Sequence, residues 1–253
     1  MAERHVVLIH GAWAGSWVWN GLLDGLRAGG FRPHAVDLPG NGCDETRAEA
    51  VSLERYVEHV AELIAELQGP VHLVAHSGGG TTATAVAERL AERVAGVAYV
   101  AGMMLPSGQG FAELCAELQQ DFPEVSGVGP YLQRSADELG SVVPAEVACA
   151  LFFHDAPASQ ALSAARRLVM QPDGGRTCHA SWSPDRFGRV PRLYIECSAD
   201  RSVVPAVQQE MQRRVAGAER VVLPCGHAPQ LAAPDALLEA LLDFFARHPT
   251  PVF

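Results

Sequence analysis

The stretch Val71-His72-Leu73-Val74-Ala75-His76-Ser77-Gly78-Gly79-Gly80 constrains the fold more than any other part of the chain. A short apolar run ends in a serine, three glycines follow, and Thr81 to Leu90 is rich in helix formers. That order reads as a strand, a sharp turn and a helix. Only small residues fit beside a serine in so tight a turn, and Ala75 and Gly79 are small. The turn pushes the Ser77 hydroxyl out at the C-terminal end of the strand. It also brings backbone N–H groups to a helix start, where negative charge is favoured. An ordinary strand-to-helix turn with a capping serine shares this local pattern, so the flanking chain decides between the two.

Upstream, Arg4 to Ile9 is an apolar run that reads as a buried strand. It stops at His10-Gly11-Ala12-Trp13-Ala14-Gly15-Ser16-Trp17, a small-residue loop whose N–H groups suit a ligand. A loop after the first strand, with a serine turn after a later one, is where a second oxyanion donor sits. Asn20 to Gly30 reads as an amphipathic helix and Phe31 to Val36 as a strand. Asp37 to Gly42 is turn-rich, and Ser52 is placed to cap a helix running to about Leu67. Val94 to Val100 is another apolar strand. Strands alternating with helices indicate βαβ units and a parallel sheet.

The pattern then breaks. From Met103 to about Arg189 no clean buried strand is visible, only helical pieces over 111–120, 144–153 and 159–170 between Pro/Gly-rich loops. The sheet resumes at 191–197, with a helix over 205–216, a last strand over 218–223 and a closing helix over 234–247. The expectation is an α/β fold: a mostly parallel, doubly wound sheet formed by residues 1–102 and 190–253, with a helical cap inserted at 103–189.

The bulk properties narrow the partners. The formal net charge is −10 and no Lys/Arg cluster appears, which argues against nucleic acid and anionic membrane surfaces. No apolar run is long enough to span a bilayer, and the chain enters a strand too early for a secretory leader. The cysteines at 43, 115, 149, 178, 197 and 225 show no metal spacing and read as reduced thiols of a cytoplasmic protein. A small-molecule substrate, with no metal and no cofactor, is the expectation. Pairing of the chain into a homodimer stays open.

Ser77, Asp200 and His227 each fall in a loop just past the C-terminal end of a predicted parallel strand, the edge where open α/β sheets bind ligands. Their chain order, Ser…Asp…His, is the one expected of an α/β-hydrolase. A serine hydroxyl is a weak nucleophile until a base takes its proton. An imidazole titrates near neutrality and can do this, then protonate the leaving group. A carboxylate fixes the imidazole tautomer and stabilises its charged form. The N–H groups of Ala12 and Gly78 are the candidate oxyanion donors. His10 and His76 flank the site and are expected to orient the loop and the turn.

HGAWAGSWVW, VDLPGNG, AHSGGG, FFHDAP, PRLYIECSADRSVVPAVQQEMQ and CGHAPQL follow one another along the chain. Together they resemble the α/β-hydrolase branch that holds plant methylesterases, the salicylate-binding esterase, hydroxynitrile lyases and bacterial esterases. The resemblance covers nearly the whole chain and implies a cofactor-free hydrolase of small, often aromatic or apolar, carboxylic esters. Ala14 departs from it where the plant proteins usually carry a second histidine, as does Ala75 where the motif has its first glycine. Residues 119–141 follow no pattern of that branch. Nucleophile aspartates mark the dehalogenases and epoxide hydrolases of this fold, and Ser77 argues against both. A lactonase, thioesterase or cyclase on a polyketide-like substrate, a lyase and a non-catalytic receptor remain alternatives.

Gly11, Trp13, Met103, Phe111, Phe152, Phe153 and Trp182 are expected to line an apolar substrate pocket. Basic residues of the cap such as Arg134, Arg166, Arg167 and Arg176 are scattered, which disfavours strongly anionic substrates unless one of them faces inward.

Overall fold

The computed structural model describes residues 3–249 of the chain. Strand β1 (Arg4–Ile9) leads to helix α1 (Asn20–Ala28), then β2 (Phe31–Val36), α2 (Leu53–Glu66), β3 (Val71–His76), α3 (Gly79–Arg89) and β4 (Val94–Val100). Beyond β4 lie α4 (Phe111–Leu118), strands β5 (Gln133–Arg134) and β6 (Gly140–Val142), α5 (Ala145–Leu151), α6 (Ala158–Ala165), β7 (Gln171–Pro172) and α7 (Asp173–Arg176). The chain returns with β8 (Arg192–Cys197), α8 (Pro205–Arg214), β9 (Ala218–Leu223), α9 (Pro229–Ala232) and α10 (Pro234–Arg247).

Six strands form one sheet in the order β2-β1-β3-β4-β8-β9. Every neighbouring pair in it is parallel. Parallel sheets are covered on both faces, so their strands read as continuous apolar runs rather than alternating ones. Strands β3 and β8 are accordingly buried at all six positions. Successive side chains still divide between the faces. Val7, Ile9, Leu73 and Tyr99 pack with α2 and α3, whereas Val6, Leu8, Val74 and Ala98 pack with α1 and α10. The order winds outward in both directions from the adjacent strands β1 and β3. The loops following these two strands therefore part at one crevice, the place where such sheets hold ligands.

Local signals act as expected in α2. The Ser52 hydroxyl accepts the Arg55 N–H at 3.1 Å, and Tyr56, Val57, Val60 and Ile64 are buried. The segment between β4 and β8 differs from its expected all-helical character. Strands β5, β6 and β7 form a small antiparallel sheet within it. These strands are two or three residues long, too short to carry a visible period. Helix α6 stops at Ala165, short of the expected 170. The Val169 N–H is instead given to the Trp13 carbonyl at 2.8 Å, which turns the backbone out of the helix. Among the described residues no helix is long and apolar enough to cross a membrane, and no disulfide joins the cysteines.

Strand β3 also carries two buried imidazoles. Burial pushes His72 down to about 4 and His76 down to about 3, so both stay neutral in the folded protein across the mildly acidic range. In the unfolded chain each would titrate near the ordinary histidine value of about 6.5. Between these limits only the unfolded chain gains protons, so stability is full above pH 6.5 and falls as pH drops below it. Each imidazole removes about 1.4 kcal/mol per pH unit in that window. Urea unfolding at pH 7.5 and pH 5 is expected to show a loss of about 4 kcal/mol from these two imidazoles alone, before carboxylates titrate. Equal stability at the two pH values would refute the buried neutral state.

Candidate active site

Ser77 follows β3 with φ of +50°, a left-handed backbone that costs a non-glycine residue on the order of 1–3 kcal/mol. Three backbone hydrogen bonds hold it there. The Ser77 N–H donates to Val100 O at 3.2 Å, and its carbonyl accepts from Gly80 N–H at 3.0 Å and Met103 N–H at 2.9 Å. The turn is pressed against the loop after β1. A Cβ on Gly79 would lie 2.4 Å from the His10 carbonyl oxygen, and one on Gly11 would lie 2.8 Å from Ser77 Cβ. The Cβ position of Gly78 is 3.6 Å from the Ala12 nitrogen. Among the described residues neither the Ala12 nor the Gly78 N–H meets a backbone or side-chain acceptor.

Asp200 lies in the loop after β8 and His227 in the loop after β9, both buried. Asp200 Oδ1 accepts the N–H groups of Ser202 at 2.7 Å and Val203 at 3.0 Å. Its Oδ2 faces His227 Nδ1 at 2.8 Å. His227 Nε2 lies 3.1 Å from Ser77 Oγ. A carboxylate only accepts, so its partner Nδ1 carries the proton and Nε2 turns a lone pair to the serine O–H. An imidazole so placed can draw off the hydroxyl proton as the oxygen attacks an electrophile.

Gln208 of α8, fully buried, supports the carboxylate. Its Nε2 donates to Asp200 Oδ2 at 3.3 Å and to the Val203 carbonyl at 2.6 Å, while its Oε1 accepts the Cys197 N–H at 3.0 Å. Sequence reasoning passed over this residue, because a helical glutamine carries no signature until its burial is known. His76 Nε2 donates to the His227 carbonyl at 2.8 Å, with the two rings 4.7 Å apart. His10 Nδ1 donates to Gly11 O at 2.7 Å, and its Nε2 accepts the Leu38 N–H at 3.1 Å. Burial lowers the His10 pKa below the ordinary value. Both histidines thus brace the loops rather than point at Ser77.

Two cavities meet at Ser77. The larger, about 580 Å³, is lined by Gly11, Trp13, Met103 and Phe111 of the expected pocket residues, together with Ala12 and Gly78. The smaller, about 30 Å³, is bounded by Phe152, Phe153, His227 and Gln230. The two phenylalanines therefore face the small cavity and not the large one. Trp182 is a correction, since it is among the lining residues of neither cavity. Its Nε1 donates to the Leu105 carbonyl at 2.9 Å and its ring meets Phe187 edge-on at 5.1 Å. A satisfied indole N–H and an aromatic partner in the main core hold it away from the site.

A buried polar cluster of Asn41, Tyr56 and Gln171, also unforeseen, reaches the large cavity through Tyr56 and Gln171. Gln171 Oε1 accepts from Trp13 N–H and Asn41 Nδ2, each at 3.1 Å, while its Nε2 donates to Tyr56 Oη at 3.1 Å. Tyr56 Oη donates in turn to Asn41 Oδ1 at 2.8 Å.

A sequence model of the alpha/beta hydrolase family matches residues 6–240. The chain belongs to the alpha/beta hydrolase family. The six-stranded parallel sheet with its inserted segment is the alpha/beta-hydrolase fold. A pyrethroid hydrolase from Sphingobium wenxiniae is 28% identical over 249 residues, covering 96% of this alpha/beta hydrolase and 88% of its own length. Methyl jasmonate esterase 1 of Vitis vinifera is 26% identical, covering 92% of the chain and 93% of its own. The crystal structure of a pyrethroid hydrolase from Sphingobium faniae matches with a TM-score of 0.84 at 26% identity, covering 98% of this hydrolase and 99% of that chain.

Proposed function

We propose that this chain is a carboxylic ester hydrolase in which Ser77 forms an acyl-enzyme with a small apolar or aromatic acyl group carried by a short alcohol. One observation carries the reading: the hydrogen-bonded line Ser77–His227–Asp200 ends where a cavity of about 580 Å³ adjoins one of about 30 Å³. Membership in the alpha/beta hydrolase family and the esterase relatives support it. His227 takes the Ser77 proton as Oγ attacks the ester carbonyl, and the oxyanion forms against the N–H groups of Ala12 and Gly78. His227 then protonates the departing alcohol, and water completes the cycle by the reverse route. Residues 103–189 act as a cap that closes the acyl cavity.

The size difference supports placing the acyl group in the large cavity and the alcohol in the small one. A volume near 580 Å³ is typical of a ligand site. The small cavity holds about one or two atoms beyond a water's worth of space, which suits a methyl alcohol. A C–C lyase reading is disfavoured because Gly11 and Ala228 offer no side-chain donor or positive charge for a departing cyanide. Methyl and butyl esters of one aromatic acid, and separately mandelonitrile, form the test. The methyl ester is expected to react at least about tenfold faster than the butyl ester, with Phe152→Ala narrowing the gap. Cyanide released faster than acid would overturn the assignment.

A further inference from the structure

The large cavity contains one feature that an ester of a plain apolar acid does not use. Its wall is apolar through Leu38, Met103, Phe111 and Leu132, yet Arg176 of α7 also lines it. Among the described residues the only other carboxylate or guanidinium group on that wall is Glu113, which is engaged in accepting the Gly110 N–H at 2.9 Å. Among the described residues the Arg176 guanidinium makes no hydrogen bond. Its Nε is buried without a hydrogen-bond partner. Asp173 forms a loose ion pair with it, Oδ1 lying 3.7 Å from Nη2, a separation too long for a hydrogen bond. The other oxygen of Asp173 is held by Arg134 at 2.6 Å.

The backbone that carries Arg176 is seated by its own short helix. The Cβ position of Gly175 is 2.1 Å from Tyr56 Oη, so α7 is seated directly on the polar cluster beneath the cavity. The remaining basic residues of this segment that the structure engages are turned elsewhere. Arg134 binds Asp173 and Glu138, and Arg167 lies 4.5 Å over the ring of Trp17. A guanidinium at an apolar wall is a directional, charge-assisted partner for a carboxylate.

We propose that Arg176 determines specificity by binding a carboxylate on the acyl part of the substrate, so that the preferred substrate is a monoester of a dicarboxylic acid. The inference rests on the hydrolytic reading of Ser77 and refines the substrate it takes. One end of the molecule presents its ester to Ser77, and the other presents its carboxylate to Arg176 across the same cavity.

Two methyl esters of matched shape test this, one bearing a distal carboxylate and the other a carboxamide. The wild type is expected to prefer the carboxylate ester. Arg176→Gln is expected to lower kcat/KM for it by about 10–100-fold, mainly through KM, and to leave the carboxamide ester within about twofold. Arg176→Lys should retain part of the preference. Equal losses on both esters, or none, would overturn the proposal. Calorimetric titration of Ser77→Ala protein with the two product acids reads binding without turnover. Tighter binding of the dicarboxylate, abolished when Arg176→Gln is added, supports the site even where neither ester is cleaved, in which case the hydrolytic reading alone falls. Equal binding of the two acids overturns the site whatever the turnover. Should Arg176→Gln fail to fold, the wild-type preference must still shrink between 0.05 and 0.5 M salt, and a salt-independent ratio counts against the ion pair.

Discussion

Ser77→Ala is expected to lower kcat on any ester the wild type cleaves by about 10⁶-fold, while leaving the melting temperature nearly unchanged. The size of the effect follows from the unit that is lost. Without Oγ there is no atom for His227 to deprotonate at 3.1 Å and no acyl-enzyme. The residue that remains can still use the oxyanion donors and the cavity, which alone give only about 10³–10⁴ over water. Stability is expected to hold because alanine meets the same backbone strain at φ of +50° as serine does, and the three backbone hydrogen bonds that sustain it are untouched. Steady-state kinetics with an ester of measurable wild-type rate and a thermal melt check both halves. The matching positive result is a stoichiometric fluorophosphonate adduct on wild-type protein, absent from the variant. Residual activity above about one per cent would remove Ser77 from the mechanism.

Asp200→Asn is expected to cost about 10⁴-fold in kcat. The carboxylate oxygens accept four N–H groups, from Ser202, Val203, His227 and Gln208. An amide of the same shape offers one oxygen and one NH₂, so at least one of these donors would face another donor. Whichever way the amide settles, it loses either the loop bonds or the tautomer of His227 that presents Nε2 as a base. The fold should survive, since Gln208 still holds the loop through Val203 O and Cys197 N. The check is kcat at several pH values beside a circular dichroism spectrum. A loss of less than about tenfold would mean that another group orients the imidazole.

Much of this architecture is readable from the chain before any coordinates. Strands such as Val71–His76 and Arg192–Cys197 are buried on both faces, so they read as short runs dominated by apolar residues and bounded by turn residues, with Arg192 and Glu196 the charged exceptions. Three reactive residue types at three strand ends then identify the site. What escapes is the part that depends on direction. Gln208, Gln171 and Asn41 are uncharged amides that matter because of burial, which no periodicity reports. Trp182 has the size and polarity of a pocket residue, but its side chain is committed to Leu105 and Phe187 by contacts from distant parts of the chain. The sheet of β5, β6 and β7 is made of fragments whose pairing, not their sequence, gives them regular form. Arg176 illustrates the same limit, because scattered arginines look alike until three-dimensional packing brings one of them to the cavity wall.

Trp13 ties these parts together. Its backbone is left-handed at φ of +62°. Its N–H is held by Gln171, its carbonyl by Val169 and its indole N–H by Ser141, all three in the inserted segment. Ala12, whose N–H faces the proposed oxyanion, is its immediate neighbour in the chain. Swinging that segment aside to admit a bulky ligand would withdraw all three bonds and release a backbone held in a strained conformation. Trp13 is thus a joint shared by the wall of the large cavity and the loop that carries Ala12, so the inserted segment and that loop are coupled through one residue.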